Sequence, residues 1–317
     1  MVKIISGLSY ANLSLADKLK TNLFIKQYIY NTSSIEYEIS GGQYYPVEHE
    51  TKDTNYGFGA AFNYELDKPY MFQFSAERTV RLPSSNELFG NASQNVNTAY
   101  TLKPELSNNL NLGIRSKTIN FGKNQFNFNT NLFFRDIKNL IQRSSQVIGG
   151  IDTFTFKNFG KVLSKGIDFR VQYVYDNKLN YEFSTSYNDT RYKSKRDING
   201  RVNMYYNSRM KNEPFYQFNS TMSYHISNLG KIPGDFDLIW NARYVHWYYR
   251  HFENIGKDNK DIIPTQFVND IGILYTEKSK NTISLDVKNI ANRQVFDNFA
   301  IQLPGRSVNL KINLNIF

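Results

Sequence analysis

Cysteine is absent from the 317 residues, which excludes a disulfide framework and any thiolate-based metal or redox centre. No apolar run approaches the roughly 18 residues that a membrane-spanning helix requires. Histidine is scarce, being confined to His49, His225, His246 and His251, and no His-Glu-x-x-His spacing occurs among them. Glu48-His49-Glu50 is the one histidine flanked by acids, a pattern that more often belongs to a solvated loop than to a cation site. There is no Gly-x-Ser-x-Gly elbow. Met1 to Leu8 carries neither the apolar core nor the small-residue cleavage site of a signal peptide.

What is abundant is aromatic. Phe (24) and Tyr (23) bring the aromatic share to 15%, against only two Trp, while the mean hydropathy is −0.53. A chain that is polar on average yet rich in large rings fits a membrane β-barrel, whose strands alternate lipid-facing and lumen-facing residues. The net charge of +10 would suit an anionic partner. The cations are dispersed, however, and the densest group, Arg191, Lys193, Lys195, Arg196 and Arg201 around Asp197, lies in a loop-like stretch. Nucleic-acid binding is therefore not expected.

Period-2 alternation runs through nearly the whole chain. Val308, Leu310, Ile312, Leu314 and Ile316 alternate with Asn309, Lys311, Asn313 and Asn315, and Phe317 falls on the polar phase. The same pattern recurs at Ile283–Val287, Phe236–Tyr244, Tyr216–Tyr224, Leu179–Phe183, Ile167–Tyr175, Phe126–Phe134, Leu110–Ile114, Tyr70–Ala76 and Tyr56–Tyr64, and more weakly at Leu19–Ile29 and Ile4–Tyr10. These stripes predict about thirteen strands and no convincing helix. The connections alternate in length. Short ones are expected near 13–18, 67–69, 119–124, 176–178, 227–234 and 277–281, and long ones near 34–53, 83–104, 142–160, 191–213, 250–263 and 291–306. Short turns at one end and long loops at the other distinguish a transmembrane barrel from a soluble sandwich.

Arg81, Pro83, Glu87, Leu88, Phe89 and Gly90, followed by Pro104 and Glu105 with Ser107 and Asn109, resemble the barrel motif of TonB-dependent outer-membrane receptors. Gly160 with Gly166-Ile167-Asp168-Phe169, and Asp286, Asn289-Ile290, Asn292, Phe296-Asp297 and Pro304-Gly305-Arg306, are similar to that family's mid-barrel strand, penultimate strand and last loop. The richness in Lys, Asn and Tyr is similar to receptors of the Bacteroidetes type.

The resemblance implies an all-β, antiparallel transmembrane barrel portion. Residues 1–317 would form the C-terminal part of a barrel of about 22 strands, an open trough lacking the plug domain and the early strands. It implies a receptor in the bacterial cell outer membrane that takes up a scarce nutrient of the siderophore, glycan or peptide class. It would be no enzyme and would hold no cofactor. Its partners would be outer-membrane lipid and lipopolysaccharide, the barrel assembly machinery, a small nutrient ligand, and TonB through the missing N-terminal part.

Two rival readings are a small passive porin and a barrel enzyme, the latter with His246 or His225 as its base. Gly57, Gly59 and Gly113 fall on lumen-facing positions, where absent side chains leave room for something packed inside. Candidate ligand residues are Arg243 and Trp247, on the lumen phase of the stretch Arg243 to His251, with Tyr205, Tyr206, Tyr44 and Tyr45. Tyr244 and Tyr248 continue the lipid-facing phase of that stretch, which an aromatic girdle would also explain.

Overall fold

A computed structural model describes residues 1–66, 69–148, 150–196, 200–230, 232–250, 262–278, 281–298 and 300–315. Asp197, His251, Ile316 and Phe317 therefore lie outside the described residues. In chain order the elements are β1 (Val2–Ser14), β2 (Leu19–Ser40), β3 (Gln43–Glu65), β4 (Tyr70–Arg81) and a short helix α1 (Ser85–Phe89). Then come β5 (Glu105–Ser116), β6 (Ile119–Phe121), β7 (Asn124–Ile148), β8 (Ile151–Tyr175) and β9 (Leu179–Tyr192). The last group is β10 (Tyr216–Ser227), β11 (Asp235–Val245), β12 (Tyr248–Tyr249), β13 (Ile262–Ile263), β14 (Gln266–Thr276), β15 (Thr282–Lys288) and β16 (Ser307–Asn313).

One antiparallel sheet runs β1-β2-β3-β4-β5-β7-β8-β9-β10-β11-β14-β15-β16, with β6 attached to β7 and a separate β12–β13 ribbon. Thirteen sequential neighbours on the main path agree with the expected meander. β1 and β16 are the two ends of this order, so the sheet is open.

The alternation in the sequence becomes two chemically distinct faces. On one, Phe62, Phe74, Leu112, Leu132, Ile167, Tyr187 and Tyr216 are successive partners across six ladders. On the other, Arg115, Asn129, Arg170, Ser184, Asn219 and Arg243 are aligned in the same way. The apolar face stays open to its surroundings: Leu8, Phe58 and Leu310 are 78%, 53% and 65% exposed. A contiguous apolar belt of this extent is what the outer wall of a membrane β-barrel presents.

Two of the expected long loops are instead strand. β2 and β3 stay paired from Leu19↔Tyr64 to Ser40↔Gln43, and β7 and β8 from Asn124↔Tyr175 to Ile148↔Ile151. In these extensions the apolar phase reverses. On β8, Ile167 belongs to the apolar face, but Lys165 and Lys161 occupy the same phase above it, and the opposite phase becomes apolar at Val162, which is fully buried. On β2, Tyr28 and Tyr30 are buried on the face opposite Ile25.

The reversal occurs where folded loops pack on the opposite face of the sheet. Tyr30, Leu88, Leu102 and Ile141 form one core with Leu82, Ala99 and Phe156. Val162, Tyr192 and Met210 form a second with Ile137, Leu140, Phe159 and Tyr205. Both cores lie at the long-loop end.

Helix is confined, among the described residues, to single turns, of which α1 is the longer. Ser84 caps it, its hydroxyl accepting from the Glu87 amide at 3.2 Å while Glu87 accepts from the Ser84 amide at 2.7 Å, a reciprocal capping box. A single five-residue turn is below the length at which an apolar period can be read.

Candidate functional site

The segment between β4 and β5 is clamped by its acidic and basic side chains. Arg81 donates through Nε to Glu105 Oε2 at 2.8 Å and through Nη2 to Glu105 Oε1 at 2.7 Å, and its Nη1 reaches both Glu87 oxygens at 3.0 and 3.1 Å. Glu105 Oε1 also accepts from the Ile141 amide at 2.6 Å. The Glu105 hydrogen bonds hold the Arg81 guanidinium well above its ordinary pKa despite the opposing burial.

The rest of the segment is tied down by backbone and amide contacts. The Pro83 carbonyl accepts from Lys3 Nζ. Gly90 has φ +71, and a Cβ there would meet the Val96 carbonyl at 2.3 Å, so only glycine fits. Asn158 brackets Lys103, accepting from its amide at 2.8 Å and donating to its carbonyl at 2.9 Å, while Asn139 donates to the Pro104 carbonyl at 3.4 Å. Phe89 lies edge-on to Tyr100, at 6.0 Å. In the last loop Asn292 accepts from the Arg306 amide at 2.9 Å, and a Cβ at Gly305 would meet the Asn292 oxygen at 2.5 Å. The motif residues are thus joints of the scaffold that hold loops against the polar face.

A cavity of about 510 Å³ opens on that face at the long-loop end. β10 contributes Gln217 and Asn219, β11 contributes Arg243 and Val245, β12 contributes Tyr248, and β14 contributes Gln266. Phe296, Asp297, Asn298 and Leu303 of the last loop close it. Gln266 pins that loop by donating to the Phe296 carbonyl at 3.1 Å and accepting from the Phe296 amide at 3.0 Å. Tyr248, 4% exposed, donates to Asn298 Oδ1 at 2.7 Å. Burial and the nearby Asp297 carboxylate push its phenol up, against the opposing charge of Arg243. The arrangement offers one guanidinium, one carboxylate, one phenol and several amides, which suits an oxygen-rich small molecule with many hydrogen-bonding groups.

The structure separates the residues that the sequence grouped. Arg243 lines the cavity. Trp247 instead sits among rings, with Phe215 at 6.1 Å, His246 at 5.8 Å and Tyr249 at 5.2 Å between centroids. His246 continues this chain to Tyr244, which stacks on Phe218 at 5.0 Å on the apolar face. Tyr205 packs against the Val162–Tyr192–Met210 core, and Tyr206 is exposed beneath the Lys195 ammonium, 5.9 Å away. Tyr44 and Tyr45 are exposed at the tip of the β2–β3 hairpin, opposite Ile39 and Glu38.

Tyr248, placed on the lipid-facing phase by its spacing, is corrected to the cavity. β11 ends at Val245 and pairing resumes only at Tyr248↔Ile263, so alternation does not carry across His246 and Trp247. The cavity residues Gln217, Asn219, Gln266 and Asn298 escaped the sequence reading, and Asp297 entered it only as a residue of the last-loop motif, since only the ladder and the folded last loop bring them together.

Other sequence expectations are also revised. Gly57 and Gly59 leave no spare room, because the Tyr28 ring lies 3.1 Å and the Phe24 ring 2.6 Å from where their Cβ atoms would stand. His49 pairs with Glu36 across the ladder at 3.0 Å, and Glu50 pairs with Lys52 at 2.8 Å. Among the described residues no group of three potential metal-binding side chains occurs.

His225, a candidate base in the enzyme reading, has a serine partner. Its Nε2 is 3.1 Å from Ser227 Oγ and its Nδ1 is 2.8 Å from Asp237. The connectivity is that of a hydrolytic triad, but the His225 and Asp237 side chains are 37% and 33% exposed beside a short turn, where water solvates them. We read the group as a surface cross-strand pair.

Comparison with known proteins gives the following. A family model described as "TonB dependent receptor-like, beta-barrel" matches residues 14–290. No curated protein sequence matches. Among solved structures, the copper transporter OprC superposes with a TM-score of 0.70 at 13% identity, over 96% of this chain and 46% of its own. The FrpB iron transporter from Neisseria meningitidis (F3-3 variant) gives 0.65 at 15%, over 97% and 44%. The ferric yersiniabactin uptake receptor FyuA from Yersinia pestis gives 0.67 at 14%, over 98% and 43%. The chain spans less than half the length of these structures, and at such identity the likeness concerns the fold.

Proposed function

Because the chain belongs to the TonB dependent receptor-like, beta-barrel family, we propose that it forms the C-terminal portion of the barrel of an outer-membrane receptor. That receptor takes up a scarce, oxygen-rich nutrient of the siderophore, glycan or peptide class. The observation that carries this reading is the cavity around Arg243 and Tyr248, which lies on the polar face of a sheet whose other face is a lipid-compatible belt. The open order from β1 to β16 supports a portion of a wider barrel over a self-contained porin, since strand number and curvature are linked.

Copper, iron and ferric yersiniabactin appear in the names of the similar structures, and a metal chelate is the ligand class that those names favour. The plug and the segment engaged by TonB would lie in other parts of the receptor. The abundance of Lys, Asn and Tyr supports an origin of the Bacteroidetes type. The barrel assembly machinery would insert the protein. Within this reading Arg243 contacts ligand, while Trp247, Tyr206, Tyr44 and Tyr45 offer ring surfaces at separate points of the loop end and Tyr205 braces a loop.

The test is cell fractionation followed by uptake of labelled ferric chelates, with and without collapse of the proton gradient. Outer-membrane location and gradient-dependent accumulation are expected. Gradient-independent permeation, linear in concentration, would replace this reading with the passive porin.

A further inference from the structure

The cavity at Arg243 continues sideways into a second one on the same polar face. The second, of about 280 Å³, is lined by Asn129 and Asn131 of β7, Asp168 and Arg170 of β8, and Ser184 and Ser186 of β9. It shares Gln217 and Asn219 of β10 with the first. Register makes the two a single groove. One row runs Asn129, Arg170, Ser184, Asn219 and Arg243, and the next runs Asn131, Asp168, Ser186, Gln217, Val245 and Gln266, each residue the cross-strand partner of the one before. Between β7 and β14 the groove extends about 24 Å at about 4.8 Å per neighbouring strand, and its two rows are about 7 Å apart.

The rows around the groove use their polar groups on one another. Beneath it, Asn127 donates to Gln172 at 3.2 Å and Thr221 to Asn241 at 3.0 Å. Above it, Ser164 donates to Asn188 at 2.9 Å and Thr190 to Glu213 at 3.0 Å. Within the groove the side chains of Asn129, Asn131, Ser184, Gln217 and Asn219 make no hydrogen bond among the described residues, and Asn129, Gln217 and Asn219 are exposed. An amide both donates and accepts, so this set matches a ligand whose groups do both, as hydroxyls do. Charge points the same way. Asp168 and Asp297 balance Arg170 and Arg243 in the combined lining, and Arg170 also pairs with Glu182 at 2.7 Å, which leaves little net field to select a charged chain.

We propose that Asn129, Asn131, Asp168 and Ser186 form a second subsite, which holds the far part of an elongated, uncharged chain of vicinal hydroxyls whose near part lies at Arg243. A free linear saccharide and the polyol arm of a chelate share that chemistry. The inference rests on the receptor reading and adds a length requirement to it. A compact ligand at Arg243 does not reach Asn129, which is four ladders and about 19 Å away.

The complete receptor, purified from outer membranes in non-ionic detergent, is titrated calorimetrically with linear neutral gluco-oligosaccharides of two to seven units, and with a ferric catecholate chelate with and without glucosyl arms. Affinity should rise with chain length and level off once the groove is spanned, or rise on glucosylation of the chelate. The first result identifies a free saccharide and the second a chelate arm. In the Asn129→Ala, Asn131→Ala double variant that increment should disappear, a loss of at least fivefold for the longest or glucosylated ligand, as the removal of two or more hydrogen bonds gives. The shortest or bare ligand should bind as before. Asn129→Trp, which fills the subsite, should act in the same way. Affinity that depends on neither length nor glucosylation overturns the proposal, as does an increment that survives both variants. Retained heat-modifiable mobility on gels shows that the variants are folded. Gradient-independent uptake with the increment intact would defeat the functional reading instead, so the two failures are distinguishable.

Discussion

Arg81 and Glu105 face each other across the β4–β5 ladder and are joined by two parallel hydrogen bonds of 2.8 and 2.7 Å. Glu105 is 9% exposed, so it depends on that fork and on the Ile141 amide for compensation. The guanidinium also holds Glu87, and with it the capping box of α1. Strand pairing, helix start and loop placement therefore share one side chain.

Replacing Arg81 by Ala strands a nearly buried carboxylate, and the expected destabilisation is about 2–4 kcal/mol, discounted for the partial exposure of Arg81. Arg81→Lys keeps the charge but loses the bidentate geometry, and should fall between parent and Ala. Urea unfolding followed by heat-modifiable gel mobility checks this. An Arg81→Ala protein as stable as the parent would show that the cluster is dispensable.

Two carboxyl groups at the loop end titrate in opposite senses. Burial pushes the Glu213 carboxyl up, with hydrogen bonds from Thr190 and Asn188 opposing. Burial also acts on Asp189, but Arg191 and Arg209 outweigh it and hold that carboxyl below its usual range. Glu213, raised in the fold, favours the folded state below its ordinary value, and that contribution is lost as pH rises through the folded value. Asp189, depressed in the fold, contributes above its ordinary value of about 4 and loses that contribution as pH falls through the folded value. Glu213→Gln, which can still accept from Thr190, should therefore raise the melting temperature at pH 7 and leave it nearly unchanged at pH 4. Asp189→Asn should lower it at pH 7 and flatten the acid limb. Thermal unfolding across pH 3–8 reads both, and a destabilised Glu213→Gln at pH 7 would contradict the burial argument.

Much of the sheet was legible because one-face burial leaves a period-2 trace, as in Ile167–Tyr175. β14 left a weaker stripe: Asn269 interrupts Phe267, Ile271, Ile273 and Tyr275, and Val268 and Leu274 blur the other phase. The tall hairpins were read as loops because their apolar residues change phase where loops pack on the opposite face, as at Val162. The family motif was readable as an ordered set of residues, but its role as a clamp was not, since Asn158 and Lys103 are 55 residues apart. The cavity was least legible, because Tyr248 and Asn298 meet across 50 residues through an irregular loop.

Ligand binding should divide along the same line. Arg243 lines the cavity, and Trp247 is packed in the ring chain that runs to the apolar face. In the complete receptor, Arg243→Ala should weaken chelate binding about tenfold or more, as expected for removal of a charge-assisted contact. Tyr248→Phe, which loses the hydrogen bond to Asn298, should weaken it less. Trp247→Ala should reduce thermal stability with a smaller change in affinity. Equilibrium binding beside surface abundance makes the comparison, and a larger affinity loss for Trp247→Ala would move the ligand surface outward to the rim.

The Ser227–His225–Asp237 chain separates a receptor from a barrel enzyme. A hydrolytic triad works because its histidine is held away from bulk water beside donors that stabilise a developing oxyanion. Here His225 pairs directly across the ladder with Asp237, and both side chains are about a third exposed. Water reaches both side chains, and among the described residues substrate would find no enclosed surface there on which to be oriented. The protein should hydrolyse p-nitrophenyl acetate and butyrate no faster than free imidazole at equal concentration, and Ser227→Ala should leave that rate unchanged. A stoichiometric burst of nitrophenol that disappears in Ser227→Ala would identify an acyl-enzyme and restore the enzymatic reading. Without a burst, His225 remains a strand-end partner whose replacement by Ala shifts stability by under about 1 kcal/mol, as for other exposed pairs.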